Sequence, residues 1–156
     1  MSVGDADFVT RSIDALGHLE FWKLNLKPGK PLALGRIGAC VLLGLPGNPV
    51  STIVTLLLVA IPAIRHVAGD TSRGATIRAQ AELTTQLMHA SGRAEFQRGT
   101  ATLREGRLYV ASTGDQASNR MSSFTHSNCL IHIPKEVDNL SAGTMVEILP
   151  FYGLLS

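Results

Sequence analysis

The chain has 156 residues, with 14 Lys and Arg against 12 Asp and Glu, giving a formal net charge of +2. Hydrophobic residues make up 45% and charged residues 17%, a balance that excludes a disordered chain. So small a basic excess argues against a dedicated nucleic-acid binder. The length suits one ordinary domain or two small ones, able to bury roughly 70% of the unfolded surface.

From the N-terminus, Asp5 to Leu16 places apolar residues at Phe8, Val9, Ile13 and Leu16 and is followed by Gly17, which predicts an amphipathic helix with an acidic first turn. His18 to Leu26 reads as a strand, and Lys27-Pro28-Gly29-Lys30-Pro31 as a break. Leu32–Arg36 and Ala39–Leu45 read as two strands turning near Gly38. Pro46-Gly47-Asn48-Pro49 is a second break, with Asn48 as helix cap and Pro49 as first helical residue of an apolar helix reaching about Ala68. Its apolar run, Val50 to Ile64, falls short of the ~20 residues of a membrane span and carries Pro62, so it is expected to be a buried core helix. An apolar strand running into a tight loop and a buried helix is the pattern of a parallel-sheet unit. About three strands and two helices are fewer than a doubly wound sheet needs, so residues 1–69 read as the C-terminal part of an α/β domain.

Asp70 to Gly74 is a small polar linker. Beyond it the helical period gives way to strands at Thr76–Leu87, Arg93–Leu103, Leu108–Ala111, Asn128–Ile133 and Thr144–Leu149, with a hairpin turn at Glu105-Gly106. Residues 75–156 are therefore expected to form a small all-β, barrel-like domain. The two cysteines, Cys40 and Cys129, sit in apolar stretches without metal or redox spacing, and MSVGDADF has neither a basic nor an apolar signal region. Both point to a reduced, cytoplasmic setting. The five histidines are scattered, and no zinc site is expected.

Several groups offer chemistry. Lys23 and Lys27, four apart on the expected strand and about 13 Å apart if extended, and Lys30 beyond the Pro-Gly turn, either hold a phosphate-like anion or form a solvated strand end. The PGNP loop is either a rigid connection or an anion site at the free N–H groups of a helix start. Asp5 and Asp7 either cap the first helix or hold Mg²⁺. Arg93 and Arg98 on one strand, and the turn Thr113-Gly114-Asp115-Gln116-Ala117-Ser118, read by themselves as surface features.

Taken in order, SVGDADF, FWKLNLKPGKPLALG, GLPGNPVS, EFQRG, TGDQASNRMSSF and NCLI resemble the C-terminal half of the MoeA family, molybdopterin molybdenumtransferase. The gephyrin E domain is similar to the same family. KPGKP followed by GLPGNPVS is the most specific part, and the matches span nearly the whole chain. The resemblance implies insertion of molybdenum from molybdate into adenylylated molybdopterin, with release of AMP and a need for Mg²⁺. It implies that Asp7 serves the metal or the oxyanion, that Lys23 and Lys27 bind molybdate or the pterin phosphate, and that Pro46 and Pro49 lie in a functional loop. It also implies that Ser118 is contributed across a dimer interface, and it places Lys30, Gly47, Asn48 and Arg98 beside the substrate. Family members are much longer. They carry an N-terminal linker region, an inserted domain and the first strands of the pterin-binding fold, and a GG pair stands before SVG where this chain has Met1. The chain is thus expected to act only with a second copy or a complementing N-terminal fragment, on small-molecule substrates, without nucleic acid or membrane. The alternative is a non-catalytic remnant that serves as an interaction or dimerisation module.

Overall fold

The computed structural model describes residues 8–70, 77–117 and 121–152. Asp5, Asp7 and Ser118 lie outside the described residues, as does most of the linker.

The first half builds one small sheet and two helical elements. Helix α1 (Phe8–Leu16) leads into β1 (His18–Lys23), which pairs antiparallel with β3 (Pro31–Ile37). A turn at Gly38-Ala39 returns the chain antiparallel as β4 (Cys40–Gly44), giving the order β1-β3-β4. The parallel sheet expected from the strand–loop–helix pattern is therefore absent among the described strands of this sheet, whose pairings are all antiparallel. The physical reason is the short turn, which lets consecutive strands pair directly without a crossover helix.

The expected single strand from His18 to Leu26 is also broken. Leu24 N–H bonds to the Lys30 carbonyl at 2.9 Å, closing a loop. The chain then forms a two-residue strand, β2 (Leu26–Lys27), that leaves its own sheet. Lys23 ends β1 opposite Pro31, whereas Lys27 lies in the second sheet, so the two lysines do not share one strand face.

Helix α2 (Pro49–Thr55) begins as the sequence predicts: Asn48 is the cap, accepting from Ser51 N–H at 3.2 Å, and Pro49 opens the helix. The helix continues through a wide π-type stretch, Leu56–Ala60, into α3 (Ile61–Val67). Pro62 can give no N–H and crowds the preceding turn, and the wider stretch just before it accommodates both effects. Together Pro49–Val67 make a 19-residue helix of mean hydropathy 1.9, long and apolar enough to cross a membrane by length and composition. The core-helix expectation describes only its first part. Val50, Ser51, Val54, Thr55, Leu57 and Ala60 are buried, and no residue of α3 is.

The second half is a closed barrel. Strands β5 (Ala79–Leu83), β6 (Ala94–Arg104), β7 (Arg107–Ser112), β8 (Cys129–Ile133) and β9 (Met145–Pro150) run in the order β6-β7-β5-β9-β8, and β8 pairs back onto β6. Closure works because β6 is long enough to serve two neighbours, β8 along Glu95–Gly99 and β7 along Gly99–Arg104. Gly99 sits where both pairings meet. A Cβ there would lie 2.7 Å from Ile131 Cγ1, so only glycine lets the barrel wall close at this point. Ala81, Leu83, Leu87, Val110, Cys129, Ile131, Ile133, Val146 and Ile148 fill the interior.

Among the described residues the two halves meet along β2 and along the helix. β2 adds to the barrel parallel to β6, with Leu26 opposite Ala94 and Lys27 opposite Glu95. Val54 and Leu57 of the helix pack on Leu130 and Leu149 of the barrel.

Candidate functional site

The KPGKP turn is held between the helix and the barrel. Gly29 adopts φ +121, and a Cβ there would stand 2.7 Å from Thr55 Oγ1, so the turn approaches α2 as closely as a glycine allows. That contact and the β2–β6 pairing fix the backbone of Lys27 against the barrel.

The Lys27 ammonium lies 3.1 Å from Glu95 Oε1, and its side chain is 50% exposed. Glu95 is buried, and its other oxygen lies 2.8 Å from His89 Nδ1, also buried. A carboxylate only accepts, so Nδ1 carries the proton. His89 is held in turn by its backbone N–H on Asn139 Oδ1 at 2.8 Å. Its Nε2 is buried without a partner among the described residues, which costs about 1–3 kcal/mol. The charge-assisted bond from Nδ1 to Glu95 offsets that cost.

Beside this pair opens a cavity of about 350 Å³. Lys27, Glu95, Gln97, Ser112, Gly114 and Gln116 line it, together with the segment from Thr85 to Met88. Its wall is ordered by backbone and amide bonding. Gln97 Nε2 donates to the Met88 carbonyl at 3.0 Å. Gln116 accepts from Arg98 N–H at 2.8 Å and donates to the Arg98 carbonyl at 3.1 Å and to Ser112 Oγ at 2.9 Å. The Gln116 amide thus takes the place of a strand neighbour where β7 turns away from β6.

Arg98 departs from the surface reading of its strand. It is 0% exposed. Its guanidinium donates to Ser123 Oγ at 2.8 Å and to the carbonyls of Gln116 and Ala117 at 3.2 Å each, and it lies over the Phe124 ring at 5.8 Å. Burial pulls its pKa below the ordinary arginine value, while the Asp115 and Glu95 carboxylates push it back up. Both flanks of the segment that contains Ser118 are therefore fastened to one buried cation. Arg93 precedes β6 and is exposed, so the two arginines do not share a face.

The PGNP loop serves its helix first. Pro49 brings no N–H, and Asn48 takes that of Ser51. Thr52 Oγ1 donates to the carbonyls of Pro46 and Asn48. Of the N–H groups at this helix start, that of Ser51 is taken by Asn48 and Pro49 has none to offer. Pro46, Gly47, Asn48 and Pro49 are not among the cavity's lining residues, and neither is Lys30, which is exposed. Lys23 is placed by its backbone alone, opposite Pro31. Among the described residues no three His, Cys, Asp or Glu side chains gather to hold a metal ion. Mg²⁺ binding through Asp7 concerns a residue outside the described ones.

Sequence reasoning passed over His89, Glu95, Gln97 and Gln116 as site residues. The available signal was EFQRG itself, because three polar residues within five positions of an expected barrel strand demand partners wherever they are buried. Those partners come from other segments: His89 from the turn before β6, and Lys27 from the other half of the chain.

Comparison with known proteins bears on the family to which these segments are similar. Residues 1–66 match the family model described as a probable molybdopterin binding domain, and residues 80–151 match that of the MoeA C-terminal region (domain IV). A molybdopterin molybdenumtransferase of Haemophilus influenzae is 41% identical over 156 residues, covering 99% of this chain and 39% of the relative. The molybdenum cofactor synthesis protein cinnamon of Drosophila melanogaster is 34% identical over 96% of this chain and 25% of its own length. A crystal structure of a molybdopterin biosynthesis MoeA protein from Pyrococcus horikoshii superposes with a TM-score of 0.73 at 27% identity, covering 94% of this chain and 35% of that one. The chain thus spans well under half the length of these relatives.

Proposed function

The chain belongs to the MoeA family, and from that premise we propose that it supplies the C-terminal share of a molybdopterin molybdenumtransferase, in molybdenum cofactor biosynthesis. One observation carries the reading. Two family motifs far apart in the chain, KPGKP and EFQRG, are brought side by side by the β2–β6 pairing, and Gly114 and Gln116 line the same cavity.

In this reading Lys27 contacts the oxyanion. Its ammonium has three N–H donors and Glu95 engages one, leaving donors for molybdate or for the phosphate of adenylylated molybdopterin. Lys23, at the end of β1, and Lys30, within the turn, are the further lysines assigned to the anions. Arg98 shapes the turn that carries Ser118, through bonds that keep it off the solvent. The PGNP loop, with Pro46, Gly47, Asn48 and Pro49, sets the start of the helix against which the KPGKP turn packs. No protein nucleophile is required, because the dithiolene sulfurs of the substrate take the metal. Asp7 would hold Mg²⁺, whose charge would offset the repulsion between the two anions. Among the described residues no group of three or more His, Cys, Asp or Glu side chains adds to that site.

Residues 1–69 are taken as the end of the pterin-binding α/β domain, 70–74 as linker and 75–156 as the barrel domain. In the longer fold the three-stranded sheet would join further strands, parallel ones among them. The share of the relatives' length that this chain does not span would be supplied by a complementing N-terminal fragment, or a second copy would supply Ser118 across a dimer interface. The free thiols Cys40 and Cys129 support a cytoplasmic location. A second reading, a non-catalytic dimerisation or interaction module, is favoured by the barrel alone, which closes its own core without the first half.

The test is molybdate insertion into adenylylated molybdopterin with Mg²⁺. The chain is assayed alone and with the N-terminal part of the Haemophilus relative. Activity only in the mixture, lost in Lys27→Ala, is the expected result. No activity in either leaves the module reading standing.

A further inference from the structure

Glu95 is a carboxylate set in the wall of a barrel whose other inward positions are mostly apolar, with its side chain 3% exposed. Such a group is tolerated only when both oxygens are engaged. One oxygen takes His89 Nδ1 at 2.8 Å, and the other lies 3.1 Å from Lys27 Nζ. The order of burial along this chain of contacts is informative. The His89 side chain is 2% exposed, Glu95 3% and Lys27 50%. The rigid end lies inside the barrel and the half-exposed end lies at the cavity. His89 is fixed by its own backbone bond to Asn139, and Lys27 by the strand bridge opposite Glu95.

A half-exposed lysine without such a partner samples many rotamers, and a ligand that uses it must bear the cost of ordering it. We propose that Glu95, buttressed by His89, is the positioning residue that fixes the Lys27 ammonium at the cavity before any ligand arrives. The proposal rests on the reading of Lys27 as an oxyanion contact. It assigns Glu95 no contact with the oxyanion, because two negative groups would repel. The sequence does not show the three members together, since they come from the segment before β6, from β6 and from the other half of the chain.

The clamp is measured in two ways on the full chain: the nitrogen resonance of the Lys27 ammonium by NMR, and binding of sodium molybdate by calorimetry. In the unaltered chain the Lys27 ammonium signal should be resolved from those of the other lysines, because the ion pair slows its exchange with water. Glu95→Gln is nearly isosteric but loses the charge. It should merge that signal with the exposed lysines and weaken molybdate binding by about fivefold to tenfold, the range expected when a charge-assisted bond becomes a neutral one. His89→Leu removes the donor behind Glu95 and should act in the same direction. His89→Asn keeps an N–H donor near the Nδ1 position and should restore the signal and bring binding to within about twofold of the unaltered chain.

A resolved Lys27 signal in Glu95→Gln, or molybdate binding that is unchanged or tighter, overturns the proposal. Equal effects of His89→Leu and His89→Asn would reduce His89 to packing and overturn the buttress. Lys27→Ala separates the two layers of argument. If it binds molybdate as well as the unaltered chain does, or if neither binds, the oxyanion reading of Lys27 fails. The ammonium resonance then decides the clamp by itself.

Discussion

The barrel and the α/β segment solve the same problem differently. The barrel pairs every strand on both sides and fills its interior with nine buried apolar side chains, so it leaves no open edge in its ring. The three-stranded sheet has β1 and β4 each with a single neighbour among the described strands. In the same half of the chain Leu16, Val41, Ile64 and Val67 stand 47–75% exposed. One region is finished by its own sequence. The other is finished only where it leans on the barrel, through β2 and through Val54 and Leu57. The candidate site lies on that seam, which explains why its residues come from both.

The largest expected effect is a test of that contrast. Ile131→Ala, in the barrel core, should cost about 2–5 kcal/mol and lower the denaturant midpoint of the whole chain, because the helix docks on the same strand. Leu57→Ala removes a helix contact of similar chemistry. It should release the helix locally, with faster amide exchange in 49–67 and barrel amides still protected. Equal loss of protection in both regions would show a single cooperative unit and would break the comparison.

Cys129 sharpens it from the side of chemistry. Burial pushes its thiol up to about 12 from the ordinary 9.0. It should resist alkylation at pH 8, while exposed Cys40 reacts. The sign of the linkage follows. Unfolding frees a thiol that ionises near pH 9.0, so the stabilisation is complete below that pH and is lost as pH rises towards about 12. A Cys129→Ser chain, titrated in parallel, should lack this part of the alkaline loss. The smallest effect belongs to Asn48→Ala, which removes the helix cap at about 1 kcal/mol and should lower thermal stability by a few degrees.

Much of the barrel was legible because its strands carry local signals. Alternation placed β5 to β9, and Glu105-Gly106 marked the hairpin between β6 and β7. Asn48-Pro49 named the start of the apolar helix. Less was legible where pairing partners are distant. Leu26 and Lys27 look like the end of β1, and only the closed loop between Leu24 and Lys30 turns them into a strand of the other sheet. Arg98 looks like a surface arginine because the carbonyls that hold it belong to a turn after the next strand.

By itself the sequence determined most helices and strands, the all-β character of the second half and, through KPGKP, PGNP and EFQRG, the resemblance to the family. Each of these rests on local periodicity or on short motifs whose residues are neighbours in the chain. Only the tertiary structure decided that Lys27 faces Glu95, that His89 stands behind it and that Arg98 is buried under the turn leading to Ser118. Those are pairings between segments far apart in the chain. They are fixed by barrel closure and strand register, and neither can be read from one strand alone.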